Sequence, residues 1–211
     1  MLWIILAAAF WGFFHSFNAS HGVKEFWRRF LGDGFMKLYR LVYNVFAVLT
    51  FLPILLLLVL LPDRTLYRVP APWNYLMIGG QTFFAVCLLA AVFQFGILYF
   101  IGLRQLAQAP GDRKLVTTGL YGFVRHPFYT FFLFLLWLTP VMTTNLLVVY
   151  LALTLYIQIG IHFEERKLLR EFGDQYAHYK AATPTLFPAP KFMRNIWASR
   201  FVLKPESSDK V

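Results

Sequence analysis

The chain has 211 residues, enough for one domain of ordinary size. Apolar residues make up 59% of it and charged residues 14%, against ~45–50% and ~25% in soluble proteins, so lipid must cover apolar surface that a soluble core this small could not hide; disorder, collagen and coiled coil are excluded as well. Twenty Lys and Arg against ten Asp and Glu leave a net charge of +10, read here as basic loops facing anionic lipid and not as a nucleic-acid surface.

In chain order, the first uncharged stretch covers 1–14 and is extended by Phe17. It lacks the basic n-region and small-x-small site of a cleaved signal peptide and is read as a retained helix. His15 and Ser16 lie near its end and His21 beyond; six residues apart, the two histidines do not have a metal-ligand spacing, and capping or interfacial hydrogen bonding suits them better. Residues 41–62 form a second uncharged stretch. The third, 69–103, opens with Pro70, Pro72 and the pair Trp73 and Tyr75, which predicts a helix from about Trp73 to Leu103. It contains the single cysteine, Cys87, so no disulfide framework is possible. The fourth, 127–163, is too long for one helix and is interrupted by Thr139-Pro140 and Thr143-Thr144-Asn145. It predicts a tight hairpin of two short arms, each ~17 residues or ~25 Å. The expectation is therefore an all-α polytopic integral membrane protein with five transmembrane helices, the fourth and fifth forming a short helical hairpin.

Eighteen of the twenty basic residues fall on one side when the N-terminus is outside, leaving only Arg64 and Arg68 on the other. The positive-inside rule then predicts a cytoplasmic C-terminus, with a bacterial inner membrane as the expected location. Residues 191–204 place Phe192, Ile196, Trp197 and Phe201 on one helical face among basic residues, the pattern of an amphipathic helix on the inner leaflet. The last residues, 205–211, are expected to be disordered. The chain divides accordingly into a membrane domain, 1–188, and a basic-aromatic tail, 189–211.

Two further clusters of polar residues stand where they are costly to keep. The first is 115–129, LVTTGLYGFVRHPFY. Gly119 and Gly122 permit close backbone approach, and Arg125 and His126 precede Pro127, which suits the first turn of a helix whose free N–H groups can hold an anion. A Gly-rich loop with a juxtamembrane Arg is the plainer reading. The second is 160–179, GIHFEERKLLREFGDQYAHY, where Glu164 and Glu165 stand at a membrane boundary on the basic side. Surface ion pairs with Arg166, Lys167 and Arg170 account for the basic residues better than for two adjacent acids. There is no GxGxxG after a strand, no P-loop, no Ser-His-Asp set and no expected metal site.

Taken together, Gly119, Tyr121, Arg125, His126, Pro127 and Tyr129, then Glu164, Glu165 and Leu168, then Phe172, Gly173, Tyr176 and Tyr179, resemble the isoprenylcysteine carboxyl methyltransferase and phospholipid methyltransferase superfamily. The likeness is closest to the bacterial methanethiol S-methyltransferase branch, through Gly102-Leu103-Arg104-Gln105, Trp137-x-Thr139-Pro140-x-Met142-Thr143, 156–161, and His15-Ser16 followed by Lys24, Trp27, Arg29 and Phe30. It spans roughly 11–188.

This resemblance implies S-adenosyl-L-methionine as methyl donor, a pocket open to the cytoplasm and a small or lipophilic acceptor arriving through the membrane. By position it puts Leu115, Val116, Gly119, Tyr121, Arg125, His126, Pro127, Phe128, Tyr129, Glu164 and Glu165 on the cofactor. Arg125 suits its carboxylate, a Glu its hydroxyls or amino group, and the tyrosines its adenine or sulfonium. Three departures stand out: Arg113 where prenylcysteine enzymes have His, Gly160 where they have an arginine tied to the substrate carboxylate, and Thr130 where a glycine is usual. The expected reaction is in-line methyl transfer to a thiol, with Arg125 favouring the thiolate and His126 or His162 taking the proton. Rival outcomes are carboxyl O-methylation, phospholipid N-methylation, or a non-catalytic membrane protein of the same fold.

Overall fold

The computed structural model describes residues 1–103 and 115–188. Arg104, Gln105, Arg113 and Lys114, and the expected amphipathic helix and tail at 189–211, lie outside the described residues.

Helix α1, Leu2–Ala19, turns at Ser20 into α2, His21–Leu60. Ser20 caps α2 by accepting the Val23 N–H at 3.4 Å. The basic segment expected as a connection is thus helical, and it meets the membrane helix at a break on Gly32, φ 76°. The two helices run antiparallel, fixed by Trp11 Nε1 donating to Ala47 O at 3.0 Å and Tyr39 Oη to Asn18 O at 2.6 Å. Strand β1, Thr65–Arg68, leads into α3, Trp73–Phe95. The predicted run to Leu103 stops early: the backbone breaks at Gly96 and continues as the short α4, Ile97–Ile101. After the undescribed stretch come a 3-10 turn, Gly119–Gly122, then α5, Pro127–Trp137, strand β2, Val141–Thr143, α6, Thr144–Phe172, and α7, Asp174–Ala182.

Among the described residues four helices, α1, α2, α3 and α6, are long and apolar enough to cross a membrane, and their outward faces expose large apolar side chains such as Phe13, Val59 and Phe83. The chain is an integral membrane protein. The expected hairpin of two equal arms is corrected. Its arms have 11 and 29 residues, and at 1.5 Å per residue the first is only ~16 Å long, about half a ~30 Å hydrocarbon core. A turn at Leu138, then Thr139 and Pro140, join α5 to β2. Side chains satisfy the last carbonyls of α5. Gln81 Nε2 on α3 donates to Leu135 O at 3.0 Å, and Thr139 Oγ1 bonds Leu136 O at 2.7 Å and the Tyr150 hydroxyl at 2.8 Å. In place of a tight turn, β2 pairs antiparallel with β1, opposing Tyr67 to Met142 and Arg68 to Val141. An otherwise helical fold therefore carries one small two-stranded ribbon.

Two apolar clusters hold the bundle. Ile4, Ile54 and Val149 join α1, α2 and α6, and Leu133, Ile157, Ile161 and Leu186 join α5, α6 and the segment after α7. On α3, Phe84 stacks on Phe134 of α5 at 4.5 Å between centroids. The ribbon sits at the start of α3 and α6, and the opposite ends of those helices border a cavity.

Candidate functional site

The loop into α5 is anchored by one side chain. Arg125 is buried, and all five of its guanidinium N–H groups are engaged. Nε and Nη2 donate to Glu165 Oε1 at 2.8 and 2.5 Å, Nη1 donates to Lys180 O at 3.0 Å and to Thr183 O, and Nη2 donates to Thr185 Oγ1 at 2.7 Å. Lys180 Nζ takes Glu165 Oε2 at 2.8 Å. Backbone pairing continues the clamp, from Arg125 N to Pro184 O at 2.8 Å and from His126 N to Thr185 O at 3.1 Å. Thr130, the residue standing for a usual glycine, is also buried here and donates to Leu186 O at 2.7 Å. It fastens the segment after α7 to α5 and does not narrow the cavity.

Gly119 serves the same loop. Its φ is 60°, and a Cβ would stand 2.2 Å from Gln94 Nε2. The Gln94 amide takes that space, donating to Thr118 O at 2.6 Å and accepting from Leu120 N at 3.0 Å. Loop and helix end therefore hold each other in place without a charge.

Inside the clamp lies a cavity of about 200 Å³. Leu115 and Val116 form part of its wall, as do Tyr121, His126, Pro127, Phe128 and Tyr129 from the loop and α5. Glu164 enters from α6, half-exposed, and accepts from the Tyr129 hydroxyl at 3.2 Å. Leu168 and Phe172 continue that face of α6, and Tyr176 and Tyr179 come from α7. The Tyr179 hydroxyl donates to Tyr121 O at 2.6 Å, while the buried Tyr176 hydroxyl meets no partner at bonding geometry among the described residues. Burial first, and Glu164 second, push the Tyr121 hydroxyl up to about 12; burial also raises Tyr176 and Tyr179. All three remain hydrogen-bond donors at neutral pH. The N–H groups of Phe128 and Tyr129, in the first turn of α5, find no acceptor among the described residues.

Eleven positions were expected on the cofactor, and the structure separates them. Nine line the cavity. Gly119 and Glu165 do not: the first shapes the loop and the second is the buried partner of Arg125. Arg125 touches the cavity, but its donors are occupied, so the expected pairing with a carboxylate is corrected. His162 is exposed on α6, its ring against Phe163 at 5.6 Å, outside the cavity wall; it is not placed to take a proton there. Sequence reasoning missed Arg40 of α2, Phe95 at the end of α3 and Phe100 of α4, all in the wall. Arg40 had been counted only as a topology charge; its spacing before Tyr43 and Asn44, polar residues in an apolar run, was the available signal. Nothing in the local pattern marked the two phenylalanines among 24.

Residues 73–175 match the profile of the phospholipid methyltransferase family. The methanethiol S-methyltransferase of Mycobacterium tuberculosis is 31% identical over 191 residues, covering 83% of this chain and 73% of that protein. Methanethiol S-methyltransferase 2 of Bradyrhizobium diazoefficiens is 32% identical over 186 residues, 82% and 68% of the two chains. The methanethiol S-methyltransferase of Pseudomonas deceptionensis is 37% identical over 107 residues, 48% of this chain and 41% of that one. The chain thus spans between 41% and 73% of these relatives. No solved structure matches it.

Proposed function

Because the chain belongs to the phospholipid methyltransferase family, on the branch of the methanethiol S-methyltransferases, we propose that this membrane methyltransferase moves a methyl group from S-adenosyl-L-methionine to a small or lipophilic thiol. The observation that carries the reading is convergence. The loop 115–129, Glu164 and the aromatic face 168–179 are far apart in the chain yet border one cavity.

The donor set suits the cofactor. The Phe128 and Tyr129 N–H groups at the start of α5 take a carboxylate. Glu164 accepts from hydroxyl or amino groups, and the Tyr176 hydroxyl, without a partner among the described residues, offers one more buried hydrogen bond. The Phe95 and Tyr121 rings, 6.4 Å apart, give aromatic surface for adenine or a sulfonium cation. When bound, the cofactor supplies an electrophilic methyl group on positive sulfur. The protein's part is to hold the partners in line and exclude water. The Arg125 clamp fixes the wall, and Arg40, the second guanidinium in the lining, favours a thiolate over a thiol. Gly160, one turn before Glu164, has open space around it and no guanidinium for a substrate carboxylate, which favours the thiol over carboxyl O-methylation.

The N-terminus lies outside and the cavity opens to the cytoplasm of a bacterial inner membrane, an orientation supported by the eighteen basic residues on that side. Purified protein in nanodiscs should bind S-adenosylmethionine by calorimetry and convert methanethiol to dimethyl sulfide. Cofactor binding with methyl transfer only to phosphatidylethanolamine would replace the thiol reading with phospholipid N-methylation.

A further inference from the structure

A second polar cluster lies behind Tyr129, and the reading above makes no use of it. His15 and Ser16 on α1, Tyr43 on α2 and Tyr156 on α6 form it. The Tyr43 hydroxyl is 2.7 Å from His15 Nε2, and the Ser16 hydroxyl donates to the Tyr156 oxygen at 3.4 Å. The imidazole stacks between Trp11 and Tyr43, at 5.0 and 4.7 Å between centroids, with the Tyr156 ring edge-on at 5.7 Å. Its Nδ1 is buried and has no hydrogen-bond partner among the described residues. Gly12 admits this packing, since a Cβ there would stand 3.3 Å from the Tyr156 ring.

Helix packing does not need these groups. α1, α2 and α6 already close on Ile4, Ile54 and Val149, and an imidazole with one unmatched nitrogen costs free energy that a phenyl ring would not. What the cluster adds is two adjacent pairs of exchangeable protons, Tyr43 with His15 and Ser16 with Tyr156, and it has two useful ends. At one end, Tyr43 stands one turn after Arg40, which lines the cavity together with Tyr129. At the other end, Ser16 is exposed, one turn before α1 stops at Ala19. The charged group facing Tyr43 is Arg40 on α2, and Glu164 on α6 accepts from the Tyr129 hydroxyl.

We propose that the acceptor thiol sits between Tyr129 and Tyr43, and that His15 receives its proton through the Tyr43 hydroxyl. This rests on the thiol reading and assigns the proton transfer which that reading leaves open. The S–H bond breaks and its electron pair stays on sulfur. The proton passes to the Tyr43 oxygen as Tyr43 gives its own to His15 Nε2, so Tyr43 is regenerated and His15 becomes imidazolium. The sulfur pair forms the new S–CH3 bond while the sulfonium–methyl bond breaks toward the donor sulfur. His15 then loses its proton to water on the Ser16 side. Tyr43 touches the reacting group; His15 acts through it, as a positioning residue for the proton. His126 is less suited, because its Nε2 already faces Glu165 Oε1 at 3.4 Å.

The test compares acceptors that need a base with acceptors that do not. The full chain in nanodiscs is assayed with methanethiol, protonated at neutral pH, and with hydrosulfide and 2,2,2-trifluoroethanethiol, which are far more ionised. His15→Phe keeps the stacked ring, Tyr43→Phe removes one oxygen, and calorimetric cofactor binding reports that each variant is folded. In both, kcat with methanethiol should fall about 100-fold, and kcat with the two acidic acceptors should stay within about 3-fold of the parent. Equal losses with all three acceptors, or no loss with methanethiol, overturn the proposal. If His15→Phe fails to bind cofactor, Tyr43→Phe decides alone. A parent that binds cofactor but methylates no thiol ends the thiol reading itself, and this proposal with it, before any variant is made.

Discussion

At the ribbon end of the bundle, Asp63 Oδ1 accepts from Arg64 N at 2.8 Å and from Asn145 N at 3.0 Å, and Asn145 Nδ2 donates to Pro62 O at 3.1 Å. At the cavity end, Arg125, Glu165 and Lys180 tie α5, α6 and α7 together. Both sets stop helix ends from fraying. The first does so at the surface, around an exposed carboxylate, where water would replace any lost bond. The second is buried and surrounds a hollow. A buried charge left without its partner is far costlier than an exposed one, so the rigid frame of this protein stands where a cavity must be kept open. Glu164 and Glu165 show the division at single-residue scale: adjacent in sequence, one faces the hollow and the other belongs to the frame.

The largest expected effect comes from breaking the frame. Arg125→Ala takes the guanidinium from Glu165 Oε1 and from three carbonyl or hydroxyl acceptors, and should cost ~3–5 kcal/mol of stability, read as a lower thermal midpoint in detergent together with loss of cofactor binding. Glu164→Gln should weaken S-adenosylmethionine binding ~10–100-fold, about 1.5–3 kcal/mol for a charged hydrogen bond, with the thermal midpoint unchanged. If Glu165→Gln gave that selective pattern and Glu164→Gln the unfolding, the assignment of frame and hollow would be reversed. Next, Gly119→Ala should cost ~1–3 kcal/mol through its left-handed backbone and its collision with Gln94. Adding Gln94→Ala should recover part of the thermal midpoint by removing the collision.

The smallest effect belongs to the ribbon. Asp63→Asn should lower stability by at most ~1 kcal/mol and leave methyl transfer intact. The Asp63 carboxyl is held below its usual range: desolvation, the largest single influence, opposes this, but hydrogen bonds from Thr143, Asn145, Arg64 and Thr144 together outweigh it. Its contribution is therefore complete above an ordinary Asp pKa of ~4 and is lost as pH falls through the lowered folded value. Thermal unfolding at pH 7 and pH 3, parent against Asp63→Asn, should show the difference shrinking in acid.

Much of this was legible without coordinates. Absence of charge marked every membrane helix, and the polar residues at 115–129 and 164–179 marked the cavity's main walls. The misreadings have physical causes. The stretch 127–163 was divided by length, which assumes helix throughout; α5 instead stops at Trp137, and Gln81 of α3 and the Thr139 hydroxyl satisfy its last carbonyls. Arg125 looked like a ligand for an anion because its five donors were unaccounted for, and the four acceptors that occupy them all lie 40 to 60 positions away in the sequence. His162 and Glu164 differ by two residues on one helix, and a rotation of ~200° puts them on opposite faces.

What the sequence determined by itself is local and compositional. Hydrophobicity dictates which segments enter lipid, Pro127 starts α5, Gly96 and Gly173 stop helices, and the residue types in the two polar segments carry the family likeness. Those properties depend on each residue and its near neighbours. What only the tertiary structure decided is which polar groups remain available for chemistry. A guanidinium or carboxylate is satisfied by whatever acceptor or donor the packed helices bring within about 3 Å. Those partners come from other helices, so packing assigned Arg125 and Glu165 to the frame and Glu164 and Tyr129 to the cavity.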